Sequence, residues 1–190
     1  MARLPDPTDT LSGADRDIYE RMLAARKSRG TGIYGPYTAL LNHPVLAERV
    51  ERLGYYLKFE SVLPREVYQF VVLAFAKRVG VEFEWVDHVG PARKAGLTEE
   101  IIAAIESESG DIPEPYATVK RCMDVVMSYR SIPDTLQSRI AELYGVKGLI
   151  EIVVLCGLYS LIGMVNTSFD VPITARPATS ISVPTRSEIL

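Results

Sequence analysis

Apolar positions along the chain recur with the period of a helix. The clearest case is Leu46, Val50, Leu53 and Leu57, spaced four, three and four, which places all of them on one helical face. Glu48, Arg49, Glu51 and Arg52 fall on the polar face, and His43-Pro44 marks the start because proline fits the first helical turn. A first helix is expected from Ser12 to the glycine-rich residues 30–32, with Asp15 and Asp17 favouring its positive end, and a loop at 33–37 follows. Pro64 opens a helix over 67–79, and Gly80 separates it from another over 81–95. Gly96 is a stop, and Thr98-Glu99-Glu100 starts a helix that ends near Ser107. Beyond a turn at 110–115 the pattern predicts helices over 116–129, 133–144 and 146–169, then a proline-containing tail. The period-two alternation of strands is almost absent, so the chain reads as all-α.

Composition adds boundaries to this picture. The 190 residues are enough for one well-filled core, and 47% apolar with 24% charged residues is ordinary for a globular chain. A net charge of −3, with no Lys/Arg run longer than two, lacks the basic footprint that nucleic acid requires. Residues 149–165 are apolar enough to raise a membrane question, but the run is short and contains Glu151 and Gly157, so a core or subunit-interface helix is expected. The N-terminal residues lack the basic start and apolar stretch of an export signal, which makes a cytoplasmic location the expectation. Cys122 and Cys156 stand alone in helices, without a CxxC spacing or a nearby His, and read as buried, reduced thiols rather than metal ligands.

The stretch with chemical potential is Glu82-Phe83-Glu84-Trp85-Val86-Asp87-His88. Glu84 and His88 are four apart, so a helix brings carboxylate and imidazole together, where Glu84 can orient the ring and stabilise its protonated form. Such a pair is a general acid or base near neutral pH, although the same spacing also makes structural salt bridges. Pro91 cannot donate to the carbonyl of Asp87, which leaves a distortion close to the imidazole. His43 reads as a helix-start residue and Glu99 as a helix-start carboxylate. Tyr34 and Tyr37 flank Gly35-Pro36, and Trp85 has packing as its default role. Arg65 and Arg93 have the chemistry to hold an anionic substrate by paired hydrogen bonds, but they sit near helix ends, where solvation is the ordinary state.

The string EFEWVDHVGPARKAGLTEEIIAAI resembles the ExxxH-plus-AGL segment of carboxymuconolactone decarboxylase-like proteins. Upstream, YGPYTALLNHPVLAERVERLGYYLKFESVLP resembles the entry helix and loop of that superfamily, and YGVKGLIEIVVLCGLYSLIGMVNTSFDVPI resembles its long closing helix. The resemblance spans about residues 34–173, leaving an N-terminal segment at 1–33 with one helix and a tail at 174–190 that is either mobile or reaches a neighbouring subunit. It implies an all-helical bundle of the alkylhydroperoxidase D-like type, self-associated as a trimer, hexamer or dimer, with a pocket near His88.

Two activities accompany this resemblance. The peroxidase branch needs cysteines seven and four residues before the His, and Val81 and Glu84 stand there, so thiol chemistry is disfavoured. The decarboxylase branch implies a cofactor-free lyase with no metal, in which His88 and Glu84 are catalytic and His88 gives a proton to the dienolate left by carbon dioxide. Tyr34, Tyr37, Gln69 and Trp85 are the implied substrate-binding residues. Gln69 stands where many members of the superfamily have Glu, keeping hydrogen-bonding ability without charge. That departure leaves open a non-catalytic binding or scaffold protein, or a different cofactor-free isomerase or hydrolase.

Overall fold

The computed structural model describes residues 4–108 and 111–173, so the tail at 174–190 lies outside the described residues. Eight α-helices follow in order: α1 (Gly13–Lys27), α2 (Pro36–Leu40), α3 (Pro44–Tyr55), α4 (Arg65–Val79), α5 (Glu82–Lys94), α6 (Glu99–Ser107), α7 (Tyr116–Val126) and α8 (Asp134–Ser168). Among the described residues no strand forms. The all-α bundle expected from the periodicity is the observed fold.

The centre of the bundle is α4, against which α5, α6, α7 and α8 all pack. Phe70, Val71, Val72 and Leu73 are four successive residues with no exposed surface, so α4 is covered all round rather than along one stripe. Each such side chain contributes about 1.5–3 kcal/mol by leaving water. Gly80, in the left-handed region at φ 70°, ends α4 and lets the chain reverse into α5.

Helix boundaries depart from expectation in places with identifiable causes. Within the expected loop, Gly35 at φ 62° turns the chain and Pro36 starts the short α2. After α3 the backbone widens into a π-helical turn, Tyr56–Glu60, whose end is held by the buried Glu151 carboxylate: it accepts from Tyr56 Oη (3.0 Å), Ser61 Oγ (2.6 Å) and the Val62 amide (3.0 Å). The two expected C-terminal helices are both present within α8, separated at Gly145 by non-helical backbone (φ 71°, ψ 168°).

The buried face of α3 is also rotated from the expected stripe. Ala47, Val50 and Leu57 are buried, whereas Leu46 and Leu53 are 43% and 41% exposed. Glu51, assigned to the polar face by its charge, is turned inward to bind Arg29 (2.5 Å) and Arg26 (3.7 Å) from the α1 side. A carboxylate can be buried when cations meet it there, and this pair decides which way α3 faces.

One helix among the described residues, α8, is long and apolar enough to cross a membrane. One of its faces is taken up by the bundle through Ile152, Leu155, Cys156, Tyr159 and Ile162. Its outer face carries Val146, Ile150, Val153, Leu161 and Met164 at helical spacing and exposed.

Candidate active site

Three helices meet around one imidazole. His88 extends from α5 and is only 4% exposed. Gln69 on α4 reaches its Nδ1, Oε1 to nitrogen 2.8 Å, and Tyr159 on α8 reaches its Nε2, hydroxyl to nitrogen 3.2 Å. The Tyr159 hydroxyl lies 2.6 Å from that of Tyr68, also on α4, and the Tyr159 ring meets the imidazole edge to face at 5.5 Å. Glu84, one turn before His88, places Oε2 3.6 Å from Nε2.

These contacts define proton positions. A glutamine carbonyl oxygen only accepts, so Nδ1 donates to Gln69, and in the neutral ring Nε2 is the acceptor. Tyr159 then donates to Nε2, and Tyr68 donates to Tyr159. When the ring takes a second proton, Nε2–H donates to Tyr159 and the hydroxyl pair reverses direction. The contacts to Gln69 and Tyr159 persist in both states, and in the protonated one the Tyr68 O–H is released from Tyr159.

Glu84 is 3% exposed and accepts from Asn166 Nδ2 at 2.8 Å. Burial, reinforced by the nearby charge of Asp87, pushes its carboxyl up from 4.5 to about 8, against the opposing effects of the Asn166 bond and Lys58. At neutral pH most Glu84 side chains carry their proton. The ring contacts thus differ from the expected pairing: Gln69 holds Nδ1, and Glu84 lies beside Nε2 as a protonated carboxyl group. Burial also holds the Tyr68 and Tyr159 hydroxyls protonated, far above their ordinary range.

The other nominated residues are spread around this centre. Tyr34 reaches Asp87 (Oη to Oδ1, 3.4 Å), and Asp87 in turn lies 3.8 Å from the imidazole Nε2. Tyr37 sits under the Arg26 guanidinium, 4.0 Å from ring centre to carbon, and burial pushes its hydroxyl up to about 12. Trp85 packs half-buried against the hydrophobic core, with no hydrogen bond into the imidazole cluster among the described residues. His43 accepts from the Leu46 amide at 3.3 Å as the cap of α3, and Glu99 takes two hydrogen bonds from Arg93 at the surface. Tyr68, Tyr159 and Asn166 were not nominated. Their signal was polarity on the inward face of otherwise apolar helices.

Both cysteines are buried, and burial lifts Cys122 to about 11 and Cys156 to about 12, so neither supplies a thiolate near neutrality. Among the described residues no group of three His, Cys, Asp or Glu side chains is arranged to hold a metal. A cavity of about 440 Å³ opens between α1, α3 and the π-helical turn, lined by charged residues including Arg21, Arg29, Arg52, Glu48 and Glu51. His88 is not in its lining.

No protein-family model matches the chain, and no curated protein sequence matches it. Among solved structures it is similar to the debrominase Bmp8, in the crystal structure of a cysteine-to-alanine variant in complex with 2,3,4-tribromopyrrole. The TM-score is 0.64 at 14% identity, over 87% of this chain and 90% of that one. The chain thus shares an all-helical fold with that debrominase.

Proposed function

We propose that the protein is a cofactor-free acid–base enzyme, a carbon–carbon lyase resembling 4-carboxymuconolactone decarboxylase, acting on a small cyclic carboxylate or lactone. The observation that carries this reading is the buried imidazole held at both nitrogens beside a carboxyl group that keeps its proton at neutral pH. In decarboxylation the bond from ring carbon to carboxylate breaks and carbon dioxide leaves. The electron pair passes into the lactone carbonyl as a dienolate, and a proton must then reach carbon. Glu84 passes its proton to Nε2, 3.6 Å away, the protonated ring of His88 delivers it to carbon, and solvent returns a proton to Glu84. With the ring protonated, the Tyr68 hydroxyl at the end of the pair is the neutral donor toward developing negative charge. Self-association through the exposed apolar face of α8, with a second copy of the chain as the occupant, belongs to the same proposal.

The test is release of carbon dioxide from 4-carboxymuconolactone by the purified protein beside His88→Ala and Glu84→Gln variants of matched folding. Turnover that disappears with His88 supports the lyase. A fully folded protein with no turnover removes this substrate from the account. One observation favours a non-catalytic scaffold instead: at 4% exposure His88 is as enclosed as the core itself. Under that reading no ligand perturbs the imidazole resonances.

A further inference from the structure

Arg65 opens α4 one turn before Tyr68 and Gln69. Its guanidinium lies over two aromatic rings, 5.3 Å from the centre of Phe59 and 5.8 Å from that of Tyr68, and its Nη1 is buried without a hydrogen-bond partner. The other arginines taken out of solvent meet a carboxylate, since Arg26 and Arg29 share Glu51. Arg65 makes no ion pair among the described residues, and burial holds its pKa below the ordinary value. Arg65 is half-buried, with Nη1 its donor cut off from solvent, and a cation so placed with no protein anion beside it offers a place to an anion from outside.

The position is as informative as the orphaned donor. Tyr68 is the ring under Arg65, and the same ring stands 6.3 Å from the imidazole of His88, centre to centre. A small molecule whose charged group rests on Arg65 would have its body against aromatic walls and its far side toward the hydroxyl pair. Guanidinium matches a planar carboxylate through two parallel N–H···O bonds, a fit that a single ammonium lacks.

We propose that Arg65 anchors a carboxylate of the substrate at the His88 centre. An ion pair stabilises a carboxylate relative to the neutral carbon dioxide it would become, which opposes its departure. The group on Arg65 is therefore the one retained, and the substrate class is a small cyclic dicarboxylate whose second carboxylate departs beside His88. This assignment of the departing group rests on the lyase reading; the anion site itself does not.

The experiment follows the Arg65 Nε–Hε resonance of ¹⁵N-labelled protein during titration with benzoate, and with benzamide as the neutral isostere. Benzoate should shift the resonance saturably and benzamide should not at equal concentration. Arg65→Met should weaken benzoate binding by roughly tenfold or more, with Arg65→Lys between the two. A His88→Gln variant should still bind benzoate, so loss of turnover and loss of the anchor are separable results. Equal binding of benzoate and benzamide, or an unmoved Arg65 resonance on the native chain, overturns the proposal whether or not the variants fold. Benzoate binding with no turnover of any lactone leaves the anchor standing and removes the lyase.

Discussion

Gln69 and His88 are joined from neighbouring helices by one hydrogen bond of 2.8 Å, and it determines which imidazole nitrogen faces Glu84 and Tyr159. Replacing Gln69 with Leu deletes the acceptor and leaves a buried N–H without a partner. The expected cost is about 1–3 kcal/mol, read as a lower denaturation midpoint in urea at unchanged slope. Gln69→Glu, which preserves an acceptor at that place, should recover most of the midpoint.

The pH dependence of stability has a defined sign. Glu84 titrates at about 8 in the folded chain against 4.5 when unperturbed, so the native state holds a proton that the unfolded state has lost between these values. Stability from this group is fully present below pH 4.5, falls by up to about 1.4 kcal/mol per pH unit through that window, and levels off above about 8. Urea unfolding at a series of pH values from 5 to 9 should show this decline in the native chain. Glu84→Gln, which has no proton to lose, should flatten it.

Tyr159→Phe removes the hydroxyl that bridges Tyr68 and the imidazole while keeping the ring. If the lyase reading holds, turnover should fall about 10²-fold, the lower end for a lost proton-transfer partner. Tyr68→Phe, one bond further from the ring, should cost less. Equal activity of native and Tyr159→Phe proteins would place the hydroxyl pair outside the reaction.

The two thiols offer a direct check on burial. With Cys122 fully enclosed, Cys156 2% exposed and both shifted well upward, native protein at pH 8 should not react with a chromogenic disulfide. Denatured protein should release two equivalents, matching its two cysteines.

Gly35 has both a positive φ of 62° and the Phe83 ring against it, with the ring tip 2.5 Å from where a Cβ would lie. Gly35→Ala should cost about 2–4 kcal/mol from combined strain and overpacking, measured as a lowered Tm. Because Phe83 precedes Glu84, the same variant should also disturb the His88 resonances.

Much of this architecture could be read from the chain. Pro44 starts α3, Pro64 and Gly80 bracket α4, Gly96 follows α5 and Thr98 caps α6, all signals that act through local backbone geometry. Glu84, Gln69 and His88 were legible for the same reason, as helical spacing and a superfamily motif are local. Tyr159 and Asn166 were not: they lie 71 and 82 residues from their partners, and only tertiary packing brings α8 onto α5. Glu51 shows the limit from the other side. Its charge placed it on the solvent face, but arginines brought in by the α1 segment turned it inward and rotated the helix with it.

The break at Gly145 gives α8 a property that an unbroken rod would lack. Residues 134–144 and 146–168 meet at a backbone joint rather than along a continuous ladder of amides. The second rod alone carries Tyr159 and Asn166 to their partners on α5. The half that makes these contacts is thereby divided, at one glycine, from the half that is anchored in the core through Ile140.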